Sequence, residues 1–84
     1  PMNIVLKLHA ALTDYLPPGT RGQALDVEVD ATTTVADVVE RFRLPPKLVH
    51  LVLVNGHYVP PAERASRTLA EGDHLALWPP VAGG

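Results

Sequence analysis

Residues 34–42 read TVADVVERF, and this stretch decides the fold. Val35, Val38, Val39 and Phe42 recur at i, i+3, i+4 and i+7, which lays one apolar stripe along a helix. Thr34 and Asp37 stand where a cap belongs. The hydroxyl can accept from an unpaired amide of the first turn, and the carboxylate sits where the helix dipole favours negative charge. At the other end Pro45 disfavours helical geometry at Leu44, so the helix is expected to finish near Arg43 after about two to three turns. One such stripe covers only one face of a small sheet. The strands around it are therefore expected to leave their second face partly open.

Working outward, MNIVLKLHA (2–10) alternates, with Ile4, Leu6 and Leu8 toward the core and Asn3, Val5, Lys7 and His9 on the other side. AALTDYL (10–16) suits a short helical turn, which PPGTRG (17–22) stops. QALDVEVD (23–30) alternates again, with Leu25, Val27 and Val29 on one face and Asp26, Glu28 and Asp30 on the other, and its exposed charges suit a sheet edge. LVHLVLVNGHYVP (48–60) holds two strands around Asn55-Gly56, the dipeptide best suited to a tight turn with positive φ at both central residues. Pro60 and Pro61 make the second of these strands short and peripheral. EGDHLALWPP (71–80) reads as a turn at Gly72-Asp73 and a last strand through Trp78. The order is strand, strand, helix, strand, short strand, strand. It predicts an α+β domain of the ubiquitin-like β-grasp type, a small mixed sheet packed on one main helix, with first and last strands side by side. The domain is expected over 2–80, followed by an extended, flexible Gly-Gly tail over 81–84.

Composition narrows the chemistry. At 84 residues the chain is near the lower size for a single apolar core, and it has no cysteine, which excludes disulfides and thiolate catalysis. A reducing cytoplasm is the expected compartment. His9, His50, His57 and His74 lie far apart, so no local metal motif is formed, and they read as surface or hairpin residues. With seven Lys or Arg against nine Asp or Glu, spread along the chain, there is no basic block for nucleic acid. The apolar run LVHLVLV is too short to cross a bilayer, and no signal peptide is read. Pro1 precedes Met2, which reads as the start residue. Asp14, Asp37 and Asp73 have local explanations as loop, cap and turn residues. No Ser-His-Asp set or phosphate loop appears, and an enzyme is not expected.

Three stretches carry a resemblance: VLVNG (52–56), LAEGD (69–73) and WPPVAGG (78–84). With them the chain resembles the small sulfur carriers of the MoaD/ThiS family, most of all the small subunit of molybdopterin synthase. Trp78 stands where that family more often has phenylalanine. The resemblance implies a cycle worked on the Gly84 carboxylate by other proteins. An activating enzyme similar to the ubiquitin-activating class would use ATP to join Gly84 to AMP, and a sulfur donor would displace AMP to leave a thiocarboxylate. The sulfur would pass to an acceptor, such as a precursor of molybdopterin held by a larger catalytic synthase subunit. The carrier itself would keep no cofactor.

The tail supports this on physical grounds. A resting carboxylate is a poor acyl electrophile and needs a better leaving group. Glycine at 83 and 84 removes every Cβ near the reacting carbon and so permits a narrow approach. Pro79 and Pro80 favour a stiff, extended departure from the sheet, which lowers the ordering entropy of threading. Val81, Ala82, Gly83 and Gly84 extend about 13 Å at roughly 3.3 Å each. Taken alone, a Gly-Gly ending is a weak signal, because frayed termini are common. Its position directly after the last strand of a β-grasp pattern strengthens it.

The face opposite the helix is the expected docking surface. If Leu75 and Leu77 point inward, His74, Ala76 and Trp78 share that face. Trp78 either lies exposed there, which its place at the tail's root favours, or folds over the edge of the core. On the third strand either Leu51 and Leu53 or Val52 and Val54 join it, and the tight turn favours Leu51 and Leu53. Three functions compete: a sulfur carrier for molybdopterin or for another pathway such as thiamine, cysteine or tRNA thiolation; a protein modifier joined through Gly84 to a lysine; and an interaction module using the sheet face alone.

Overall fold

The computed structural model describes residues 1–80. A five-stranded mixed sheet has the order β2-β1-β5-β3-β4, with β1 (Met2–Leu8), β2 (Ala24–Val29), β3 (Leu51–Val54), β4 (His57–Tyr58) and β5 (His74–Trp78). Only β1 and β5 run parallel; every other pair is antiparallel. The expected β-grasp order holds, with first and last strands side by side at the centre and β2 and β4 at the edges.

Helix α1 (Val35–Arg41) covers one face. Thr34 Oγ1 accepts from the Asp37 amide at 3.1 Å while the Asp37 carboxylate accepts from the Thr34 amide at 2.9 Å, a reciprocal cap that satisfies two donors of the first turn. The helix ends slightly earlier than Pro45 alone suggests. Phe42 is its C-cap, and Arg43 takes φ 54°. The Arg43 amide reaches the Glu40 carbonyl and the Leu44 amide reaches the Val39 carbonyl, both at 3.0 Å. This is a Schellman closure, usually built on glycine but here on an arginine, which drops Leu44 into the core.

Strand alternation then assigns the core. Ile4, Leu6, Leu8, Val27, Val29, Val52, Val54, Leu75 and Leu77 are buried together with Val35 and Val38 of the helix. Val39, Phe42 and Leu25 from the expected apolar sets pack partly buried against them. Leu12, from the 3₁₀ turn Ala10–Tyr15, is fully buried. So are Leu44, Val49, Val59 and Leu69 nearly, all from segments without strand or helix periodicity. Each such burial contributes roughly 1.5–3 kcal/mol relative to exposure.

Polar staples fix the connections. Arg64 donates to three carbonyls, from Nε to Val59 at 3.2 Å, from Nη1 to Val49 at 3.1 Å and from Nη2 to His50 at 2.9 Å. It gathers the chain before β3 and after β4. Asn55, at φ 51° beside Gly56 at φ 82°, forms the expected tight turn. Its amide side chain also donates to Asp73 at 2.9 Å and accepts from the His74 amide at 2.8 Å. Asp73, buried at 8% exposure, accepts as well from the Ala70 amide. The hairpin turn and the turn before β5 are thus one hydrogen-bonded unit.

Candidate functional site

The sheet face away from α1 is built row by row from strand register. Leu51 pairs with Trp78. In the next row Ala24, Lys7, Ala76, Leu53 and Tyr58 lie side by side across all five strands. A third row sets Asp26, Val5 and His74 together. Leu51, Leu53, Ala76 and Val5 are half-buried, His74 is exposed, and Tyr58 is 56% exposed. Val52 and Val54 point to the core instead, so the alternative assignment of β3 is settled in favour of Leu51 and Leu53 on the open face. Lys7, His9 and His74 lie among these apolar side chains, whereas Asp26 and Glu28 lie on edge strand β2.

Trp78 closes β5 at the end from which the tail departs. Its carbonyl accepts from the His50 amide at 3.0 Å, the last cross-strand bond before Pro79 and Pro80, which have no amide hydrogen. Its indole is half-buried rather than freely exposed, because the His9 imidazole lies flat on it. The ring centroids are 4.1 Å apart and the planes are parallel. The reading of all four histidines as ordinary surface residues is corrected at His9. Its amide donates to Leu77 at 3.1 Å and its carbonyl accepts from Leu12, so β5 and the following turn both hold it in place. Burial of the ring, and secondarily the charge of Lys7, keep the imidazole pKa below its ordinary value of 6.5. Pro79 is half-buried and Pro80 exposed. The reacting positions Gly83 and Gly84, with Val81 and Ala82, lie outside the described residues.

A concavity of about 600 Å³ lies beside the helix, apart from this face, and is lined by Ala36, Val39, Leu44, Pro45 and Val49, with Glu40 and Arg43 also in its wall. Arg64 lines it too, with its guanidinium committed to the three carbonyls above. The lining contains no serine, threonine, cysteine, lysine or histidine. Among the described residues no three of His, Asp and Glu come together to hold a metal ion, and no helix is long and apolar enough to cross a membrane.

The family model described as Mut7-C ubiquitin matches residues 2–82. The chain belongs to the Mut7-C ubiquitin family. The ubiquitin-like likeness read from VLVNG, LAEGD and WPPVAGG is borne out at that level. Solved structures agree with the family's fold. The Haloferax volcanii HVO 2177 protein is 27% identical, with a TM-score of 0.76 over 99% of this chain and 87% of that one. Small archaeal modifier protein 1 of Haloferax volcanii is 26% identical, with a TM-score of 0.70 over 96% of this chain and 100% of that one. A Pyrococcus furiosus protein provisionally designated molybdopterin converting factor, subunit 1, is 19% identical at a TM-score of 0.70, covering 96% and 100% of the two chains, a likeness of fold. No curated protein sequence matches the chain.

For a Mut7-C ubiquitin domain, the residues that sequence reasoning left out of the site are Val5, Lys7, His9 and Tyr58. Alternation already put Val5, Lys7 and His9 on the side away from the core. Placing them beside Trp78 and Ala76 needed the parallel pairing of β1 with β5, which joins strands nearly seventy positions apart.

Proposed function

We propose that this ubiquitin-like domain is a carrier worked on at its C-terminal glycine, and that Gly84 supplies the working carboxylate. The observation that supports it is the placement of β5 between β1 and β3, which delivers Trp78, Pro79 and Pro80 at one end of the sheet directly before Val81–Gly84. In the cycle proposed, a Gly84 carboxylate oxygen attacks the α-phosphorus of ATP within an activating enzyme, and pyrophosphate leaves. Hydrosulfide then attacks the acyl carbon, and AMP leaves with the C–O bond broken, giving a thiocarboxylate. The domain contributes position and the partner contributes catalytic groups, so it acts as a non-catalytic subunit in the cytoplasm. The open face, centred on Leu51, Leu53, Ala76 and Trp78, docks the activating enzyme and then the acceptor enzyme. The acceptor we favour belongs to molybdopterin synthesis.

A second reading has specific support in the likeness to small archaeal modifier protein 1. There the same adenylate would be captured by a lysine amine of a target protein, forming an isopeptide bond. The two readings share activation and differ in the nucleophile.

The test is incubation with ATP, magnesium, a sulfide source and the host's activating enzyme, followed by intact-mass measurement. A mass gain equal to sulfur replacing one oxygen, lost on deletion of Gly84, is the expected result. Absence of both adenylate and thiocarboxylate with a competent enzyme would overturn the proposal. Gly84-dependent adducts on other proteins would instead favour the modifier.

A further inference from the structure

We propose that the free edge of β2 is a strand-addition site, which takes an extended segment of a partner protein whose residues alternate between basic and apolar. Strand β2 is six residues long and has a neighbour on one side only, β1. The register fixes which of its backbone groups are used there. The Leu8 amide donates to the Gln23 carbonyl at 3.0 Å, and the pairs Leu6 with Leu25, Ile4 with Val27 and Met2 with Val29 continue that ladder at every second residue. The amides and carbonyls of Ala24, Asp26 and Glu28, at the positions between, therefore point away from β1. One of them confirms the direction, because Arg41 Nη1 donates to the Glu28 carbonyl at 2.6 Å from the helix. The three amides and the carbonyls of Ala24 and Asp26 stand along an exposed edge, in the spacing that another strand requires.

Side chains choose the occupant. Asp26 and Glu28 are exposed on the open face of the sheet. A second copy paired edge to edge about a twofold axis runs antiparallel and sets these carboxylates against their equivalents, which is unfavourable. An added strand with Lys or Arg on that face meets them with opposite charge instead. Cations already stand near both ends, Lys7 on β1 opposite Ala24 and Arg41 at the Glu28 carbonyl. Asp26 lies between them with Val5 as its cross-strand neighbour, so it is the position where an added cation gains most. On the core side Leu25 packs against the core yet stays half-buried, and an apolar residue on the added strand would cover it. Main-chain bonds then supply affinity and the alternation of side chains supplies selection.

The edge is independent of the chemistry at Gly84, because β1 separates β2 from β5. The probe is a peptide alternating lysine and valine over about ten residues, the upper length of an ordinary strand. Two controls accompany it. One has glutamate in place of lysine; the other is the lysine peptide N-methylated at its lysine amides, which keeps the charge and removes the donors that would face Ala24 and Asp26. In a nuclear magnetic resonance titration at low salt, the lysine peptide should shift the Ala24, Asp26 and Glu28 amides and slow their hydrogen exchange, while neither control does so. Asp26→Lys should weaken binding of the lysine peptide about three- to tenfold and Asp26→Asn less, with both variants folded because the side chain is exposed. Removing Gly84 should leave that binding unchanged. No shift at millimolar probe, equal binding of either control, shifts centred on Leu53 and Ala76 instead of β2, or loss of binding on removal of Gly84 would each overturn the proposal. Protection of the three amides in the free chain that rises with protein concentration would mean that a second copy covers the edge, and would overturn it as well.

Discussion

The two faces of one sheet are made from the same strands, yet they differ in what their side chains do. On β5, Leu75 and Leu77 are fully buried beneath α1, while Ala76 and Trp78, one residue away, are only half-buried and His74 is exposed. On β3, Val52 and Val54 disappear into the core and Leu51 and Leu53 do not. A single short helix accounts for this, since it can bury only one side. The covered face stabilises the domain. The open face leaves apolar area of Leu51, Leu53, Tyr58 and Trp78 partly exposed, at little cost to stability because its strands are already tied through the covered side.

The sharpest way to break this comparison is paired truncation. Leu77→Ala removes a fully buried side chain and is expected to cost about 2–5 kcal/mol in urea unfolding. Leu53→Ala, in the adjoining strand on the open face, should cost under about 1 kcal/mol. The functional effects should run the other way, with Leu53→Ala weakening activation while folding survives. Equal losses of stability would show that the open face is structural and would remove the reason for assigning it to partners.

A smaller effect is expected where the two turns meet. Asn55→Ala removes the amide that serves Asp73 and His74 and also places alanine at φ 51°, for a loss of about 2–3 kcal/mol. Asn55→Gly tolerates the backbone but still lacks the amide, so it should lie between alanine and native. If glycine restores full stability, the hydrogen bonds to β5 contribute nothing and the turn alone holds the hairpin.

These residues also show how far a sequence can be read. Alternation of Ile4, Leu6 and Leu8, the stripe at Val35, Val38, Val39 and Phe42, and Asn55-Gly56 each express a local rule, and each appears where that rule puts it. Asn55 was legible as a turn former but not as a partner of Asp73, eighteen positions away. Arg64 had no local pattern, because its value lies in reaching carbonyls at Val49 and His50. Leu12, Val49, Val59 and Leu69 enter the core from irregular segments, where no period marks an inward side. His9 and Trp78 were placed on one face by alternation, but their stacking depends on which strands become neighbours.

The helix that creates the difference between the faces can itself be tuned at both ends. Thr34→Ala removes the hydroxyl that receives the Asp37 amide and should cost about 1 kcal/mol in urea unfolding, with the loss shared by Thr34→Val if the oxygen is responsible.

Arg43 gives the smallest effect, and its sign is opposite. Its φ of 54° is a left-handed position that costs a side-chain-bearing residue roughly 1 kcal/mol, while the Schellman bonds from the Arg43 and Leu44 amides need only backbone. Arg43→Gly keeps both bonds and relieves the strain, but glycine also adds conformational freedom to the unfolded chain, which returns part of the gain. The net expectation is a stabilisation of about 0.5 kcal/mol, measured by urea unfolding against Arg43→Ala, which keeps the strain and should not be stabilised. Because Arg43 lies beside the helix and away from the rows of the open face, activation should be unchanged in both variants. A loss of activation in Arg43→Gly without loss of stability would mean that partners also read the helix side, and the division of labour between the faces would have to be redrawn.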